Sequence, residues 1–143
     1  MSLIIVSDVL CVTVVQGLYG RGVNYTSTDI CAVKGSTVEI RCSFTFKSWY
    51  TTVEKMFWFT QKKGGDRVNL KTDSEYAGRV ENCCKNRICI LRIKNLTESD
   101  SAEYKFRFDT IQEGGSYIGS PGVTLSVTGN IFLYVSYFQM FST

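Results

Sequence analysis

The chain contains no histidine. That absence removes Ser-His-Asp and Cys-His catalysis, histidine metal ligation and a histidine pH switch. Proline is nearly missing too: there is one, and glycine shows no Gly-X-Y period, so collagen-like and proline-rich classes are excluded. Charge of one sign is not in excess. The 16 basic and 13 acidic residues are interspersed and leave a net +3, too little for an electrostatic case for nucleic acid. Zinc-ligand spacing is absent, because Cys83-Cys84 and Cys89 lack a two-residue interval. No carboxylates are paired in a recognisable catalytic setting. The sequence is therefore read as non-enzymatic, with no metal and no cofactor.

What is present fits one packed domain. The 143 residues are 44% apolar and 20% charged, which suits a folded core rather than a disordered chain. Six cysteines in so short a chain point to an oxidising, extracellular compartment. Residues 1–20 read as a secretory signal with an apolar stretch from Leu3 to Val15, although Asp8 interrupts it and no basic residue leads it; an N-terminal strand is the alternative. Residues 129–143 read as an atypical apolar tail. Its uncharged run from Ile131 to Phe138 is far below the ~20 residues of a membrane helix, so no direct membrane insertion is expected. The domain is placed at 21–128.

Within it, apolar residues alternate with polar ones at period two. Val38, Ile40, Cys42 and Phe44 make one such face, and Ile88–Ile93, Tyr104–Asp109 and Val123–Val127 behave alike. Val53–Gln61 is a fifth segment, centred on Phe57-Trp58-Phe59. Turn residues separate them at Lys34-Gly35-Ser36, Lys63-Gly64-Gly65-Asp66 and Glu113-Gly114-Gly115-Ser116. Short strands with no helical period between them predict an all-β antiparallel sandwich or barrel.

Four features narrow this to an immunoglobulin V-set sandwich. Trp58 follows Cys42 by sixteen residues, as a strand-C core tryptophan should. Asp100-x-Ala102-x-Tyr104 has the form of the turn into strand F, with Tyr104 as the tyrosine corner. Arg79 is placed to pair with Asp100 beneath the sandwich. One position departs from the pattern these four set (Cys42, Trp58, the turn to Tyr104, and Arg79): the usual second inter-sheet cysteine, two residues after the corner tyrosine, is Phe106, facing inward. The partner expected for Cys42 is then Cys89. Strands B and E are neighbours in one sheet, and neighbouring strands lie about 5 Å apart, within reach of a disulfide. Such an intrasheet B–E disulfide leaves the sheets free to separate slightly and admit Phe106.

The run Asn86-Arg87-Ile88-Cys89-Ile90-Leu91-Arg92-Ile93, followed by Asp100 and Tyr104-Lys105-Phe106-Arg107, resembles the first domain of the sialic-acid-binding immunoglobulin-like lectins, the siglecs. Ile30–Ser36 and Gly119–Thr128 are similar to the opening and ending of the B-cell inhibitory co-receptor branch in bony fish. The resemblance covers about 21–128. It implies binding of sialylated glycans in cell adhesion or immune regulation, at the plasma membrane in full-length relatives. The matching strand-F arginine is Arg107, which would hold the sialic acid carboxylate, for a guanidinium offers two parallel N–H groups. The resemblance also implies flanking aromatics: Tyr117 on strand G and Tyr25 on strand A.

Other features carry lesser expectations. After a Cys42–Cys89 pair, Cys31 either links to a further domain or pairs with Cys83 or Cys84. Asn24-Tyr25-Thr26 and Asn95-Leu96-Thr97 are glycosylation sequons. Phe57 and Phe59 alternate outward if Trp58 faces inward, and exposed aromatics there would suit contact with other immunoglobulin-type domains without any sugar.

Overall fold

A computed structural model describes residues 22–46, 52–61, 67–111 and 115–141. In chain order the strands are β1 (Gly22–Tyr25), β2 (Asp29–Val33), β3 (Val38–Thr45), β4 (Val53–Gln61), β5 (Arg67–Asn69), β6 (Val80–Lys85), β7 (Ile88–Ile93), β8 (Ala102–Thr110), β9 (Ser116–Ile118) and β10 (Val123–Thr128). A helix, α1 (Ile131–Phe141), follows. One sheet has the order β1-β3-β7-β6; the other runs β2-β10-β8-β4-β5, with β9 beside β8. The two pack face to face as a sandwich. Strands B, E and F of the sequence reading are β3, β7 and β8.

Alternation produces this arrangement directly. In β3, Val38, Ile40, Cys42 and Phe44 are buried while Glu39, Arg41 and Thr45 are exposed. In β8, Tyr104, Phe106, Phe108 and Thr110 are buried. The two inward sets meet: Phe44 lies 5.8 Å from Phe106 and 5.0 Å from Phe108 between ring centroids. Burying each of these side chains is worth about 2–3 kcal/mol.

One pairing is not antiparallel. After β1 the chain crosses between the sheets at residues 26–28, and β2 joins β10 in parallel, Thr124 opposite Asp29 through Thr128 opposite Val33. An N-terminal segment that switches sheets without reversing direction can pair only in this way.

The disulfide differs from the expected one. Cys89 lies opposite Cys42 on β3 and also opposite Cys84 on β6. The bond closes between Cys84 and Cys89, with Cα atoms 4.1 Å apart, while Cys42 is a buried free thiol. It is intrasheet, but joins β6 to β7 rather than strand B to strand E. The hairpin turn brings Cys84 to Cys89. Asn86 and Arg87 both take positive φ, 52° and 63°, as a two-residue turn of type I′ requires, and this sets Cys84 opposite Cys89. Cys31 is disulfide-bonded, but with neither Cys83, which is free and exposed, nor Cys84.

The tail is helical. Asn130 starts α1 by accepting the Phe132 N–H on its side-chain oxygen at 3.0 Å, and Ile131, Phe132 and Val135 are exposed on it. Among the described residues no helix is long and apolar enough to cross a membrane. The proposed signal, residues 1–20, lies outside the described residues.

Candidate functional site

The base of the sandwich anchors β8. Arg79 donates to both carboxylate oxygens of Asp100, at 2.8 and 2.9 Å, and also to the carbonyls of Glu75, Lys94 and Asn95. Burial alone would raise the Asp100 carboxyl, but the Arg79 hydrogen bonds and the Thr97 N–H outweigh it and hold it below its ordinary value. Tyr104 donates to the Asp100 carbonyl at 2.6 Å, closing the tyrosine corner, and its oxygen lies 2.9 Å from that of Tyr76. These bonds fix the point at which β8 starts, and hence which of its residues face out.

Above this base the core is aromatic. Trp58 is buried, meets Phe106 edge-on at 5.2 Å and donates its indole N–H to Asn82 at 3.2 Å. Tyr25 is buried beside it, 2% exposed. Its hydroxyl accepts the Phe106 N–H at 2.8 Å and donates to the Gly119 carbonyl at 2.9 Å. Both bonds of a hydroxyl are thus spent inside the protein, and burial raises its pKa. Tyr25 is a tie between the sheets, which corrects the expectation that it clasps a ligand.

The outer face of β8 carries Lys105, Arg107 and Asp109. Arg107 lies across from Phe57 on β4, with its guanidinium 5.6 Å from the ring centroid. Its Nε donates to Asp109 Oδ1 at 2.8 Å and its Nη2 reaches Oδ2 at 3.3 Å. The arginine side chain stays 30% exposed. Those bonds, with Ser116, hold the Asp109 carboxyl below its ordinary range. Lys105 lies 3.3 Å from Glu103.

Register separates the other expected contacts from Arg107. On β9, Ile118 stands opposite Arg107 and Tyr117 opposite Phe108. Directly opposed residues share a face, so Tyr117 lies on the side of the sheet away from Arg107. Its ring stacks on buried Phe108 at 4.9 Å. The strand-G aromatic expected beside the arginine is replaced there by Ile118. Phe59 is on the outer face but 1% exposed, with Phe57 against it and the Arg67 guanidinium 5.7 Å from its ring centroid. The covering edge strand β5 removes it from the expected interface and leaves Phe57 half-buried.

The profile of the immunoglobulin V-set domain matches residues 25–128. The chain belongs to the immunoglobulin V-set family. No curated protein matches it. V-set domains are recognition and adhesion modules, typically extracellular and non-enzymatic, and commonly make protein–protein contacts.

Two edges of this V-set domain leave an open cleft of about 440 Å³, lined by residues 22–25 of β1 and by Ser116–Pro121. Asn24, of the first sequon, sits half-buried on that wall. Asn95 is exposed in the turn after β7, at φ 50°. Sequence reasoning missed the role of Asp109, though its two-residue spacing from Arg107 on a strand places both on one face. It also missed Cys84, because β6 was not recognised as a strand.

Proposed function

We propose that this V-set domain is an extracellular recognition module that binds sialylated glycans through Arg107. One observation supports it above the others: the guanidinium sits on an open sheet face, 30% exposed, over the aromatic ring of Phe57 at 5.6 Å from its centroid. Among the described residues its Nη1 has no hydrogen-bond partner, so an N–H edge is presented to an incoming carboxylate. Phe57 and Ile118 offer apolar surface on either side for the sugar. A single such contact is weak, about 1.5–3 kcal/mol, so useful binding relies on several domains engaging together.

The half-buried Phe57 between Arg107 and Phe59 supports a second reading, contact with another immunoglobulin-type domain through the same face. One experiment separates the two. The chain is clustered on an Fc dimer and tested on cells before and after sialidase, alongside Arg107→Ala. Loss of binding under both treatments supports the lectin reading. Binding that survives both overturns it, and Phe57→Ala then becomes the variant that abolishes attachment.

A further inference from the structure

Arg107 and Asp109 are two residues apart on one strand and share the outer face of β8. The contact between them has the geometry a ligand carboxylate would need. It uses the Nε and Nη2 donors, the edge of the guanidinium suited to gripping a carboxylate with two parallel hydrogen bonds. Asp109 is not free to turn away at random. Ser116 on β9 bonds to it, and Lys55 lies opposite on β4. The arginine is thus already gripped by a carboxylate supplied by its own strand; among the described residues its two Nη1 N–H groups and the second on Nη2 are left open.

We infer that Asp109 is an internal competitor that occupies the carboxylate-gripping edge of Arg107 and sets how tightly, and how selectively, the domain takes an acidic ligand. The inference rests on the reading of Arg107 as a carboxylate binder. A carboxylated sugar reaching Arg107 either displaces Asp109 from the Nε–Nη2 edge or takes the outer Nη1–Nη2 edge of a guanidinium whose charge Asp109 already partly offsets. Either way Asp109 subtracts from the observed affinity, by competition at one edge or by offsetting charge at the other. A neutral sugar gains nothing from displacement, so the competitor also rejects ligands that bring no anion of their own.

The test uses the full chain secreted from animal cells, as wild type, Asp109→Asn, Asp109→Ala and Arg107→Ala. Sialyllactose is the ligand and lactose the control. A second readout needs no ligand: the rate at which a dicarbonyl reagent modifies Arg107, mapped by peptide mass spectrometry. Thermal unfolding checks that all variants fold, as expected for changes on an outer face. Both Asp109 variants are expected to bind sialyllactose about three- to tenfold more tightly, the modest gain expected from removing a solvent-screened ion pair, and to be modified faster at Arg107. Sialyllactose binding by wild type that Asp109→Asn and Asp109→Ala leave unchanged or weaken overturns the competitor and leaves the lectin reading standing. Faster modification without any sialyllactose binding, in wild type or variant, shows that Asp109 restrains Arg107 but overturns the ligand on which the inference rests. Equal modification rates in all Asp109 forms overturn the restraint itself.

Discussion

The hydroxyl of Tyr25 accepts the backbone N–H of Phe106 at 2.8 Å, across the gap between the two sheets. Phe106 occupies the position where most domains of this fold carry the second inter-sheet cysteine. The two sheets are joined at the same point on β8, by a hydrogen bond instead of a covalent bond. Gly119 completes the tie. Its carbonyl takes the hydroxyl proton, and a Cβ there would sit 2.5 Å from the Tyr25 oxygen, so only glycine lets the ring approach.

Removing that hydroxyl leaves a buried N–H and a buried carbonyl unpaired. Tyr25→Phe is expected to lower stability by about 2 kcal/mol, measured by urea unfolding. Gly119→Ala should destabilise as well, by forcing the ring from its place. Tyr25→Phe should leave glycan binding at Arg107 unchanged when measured under folding conditions. Lost binding with stability intact would contradict the structural role given to Tyr25.

The thiol accounting offers a second check. In the native protein Cys83 is exposed and should react with a maleimide, while Cys42 is buried with its thiol pKa pushed up by that burial. Cys42 should label only after unfolding. Peptide mapping without reduction should recover Cys84 joined to Cys89. Cys84→Ser is expected to cost ~2 kcal/mol, the value for closing so short a loop. Native labelling of Cys84 would show the assignment to be mistaken.

Acid stability follows from Asp100. Its folded carboxyl lies below its ordinary value because Arg79 and Thr97 bind the charged form strongly enough to overcome burial. A depressed carboxyl stabilises the fold fully above its unfolded value, about 3.9, and the contribution fades as pH falls below that through the folded value. Asp100→Asn is expected to lose about 3 kcal/mol at pH 7, because a partly buried Arg79 is left without its partner. The variant should also show a shallower loss of stability between about pH 4 and pH 2 than the wild type. Parallel acid limbs in chemical unfolding curves at several pH values would exclude Asp100 as the group responsible.

The two sequons should differ in use. Asn95 is exposed in an open turn, whereas Asn24 is half-buried in an edge strand against a cleft wall. Glycan release in heavy-oxygen water, followed by peptide mapping, should mark Asn95 in most molecules and Asn24 in fewer. The opposite order would indicate that β1 is open when the glycan is added.

Several features were legible along the chain because they are local. Alternation at period two is written residue by residue, so β3, β4, β7, β8 and β10 could be read from the order of apolar side chains alone, with the inward-facing Phe106 among them. The spacing of Cys42, Trp58, Asp100 and Tyr104 specified the V-set sandwich for the same reason: each marks a fixed point on a strand or turn. β1, β2, β5 and β9, of three to five residues, are too short to show alternation, and β6 has few buried positions to show it. They are edge or junction strands whose existence depends on a neighbour to pair with.

What the tertiary structure alone decided is register. Cys89 has a cysteine opposite it on both sides, Cys42 on β3 and Cys84 on β6, and the bond closes to Cys84. A shift of one residue along β9 would bring Tyr117 to the face of Arg107; the actual pairing stacks it on Phe108 and puts Ile118 there. Side chains on a strand change face at every residue, so composition and spacing determine that a residue lies on one face or the other of its own strand. Which neighbours share that face is settled only when the strands align.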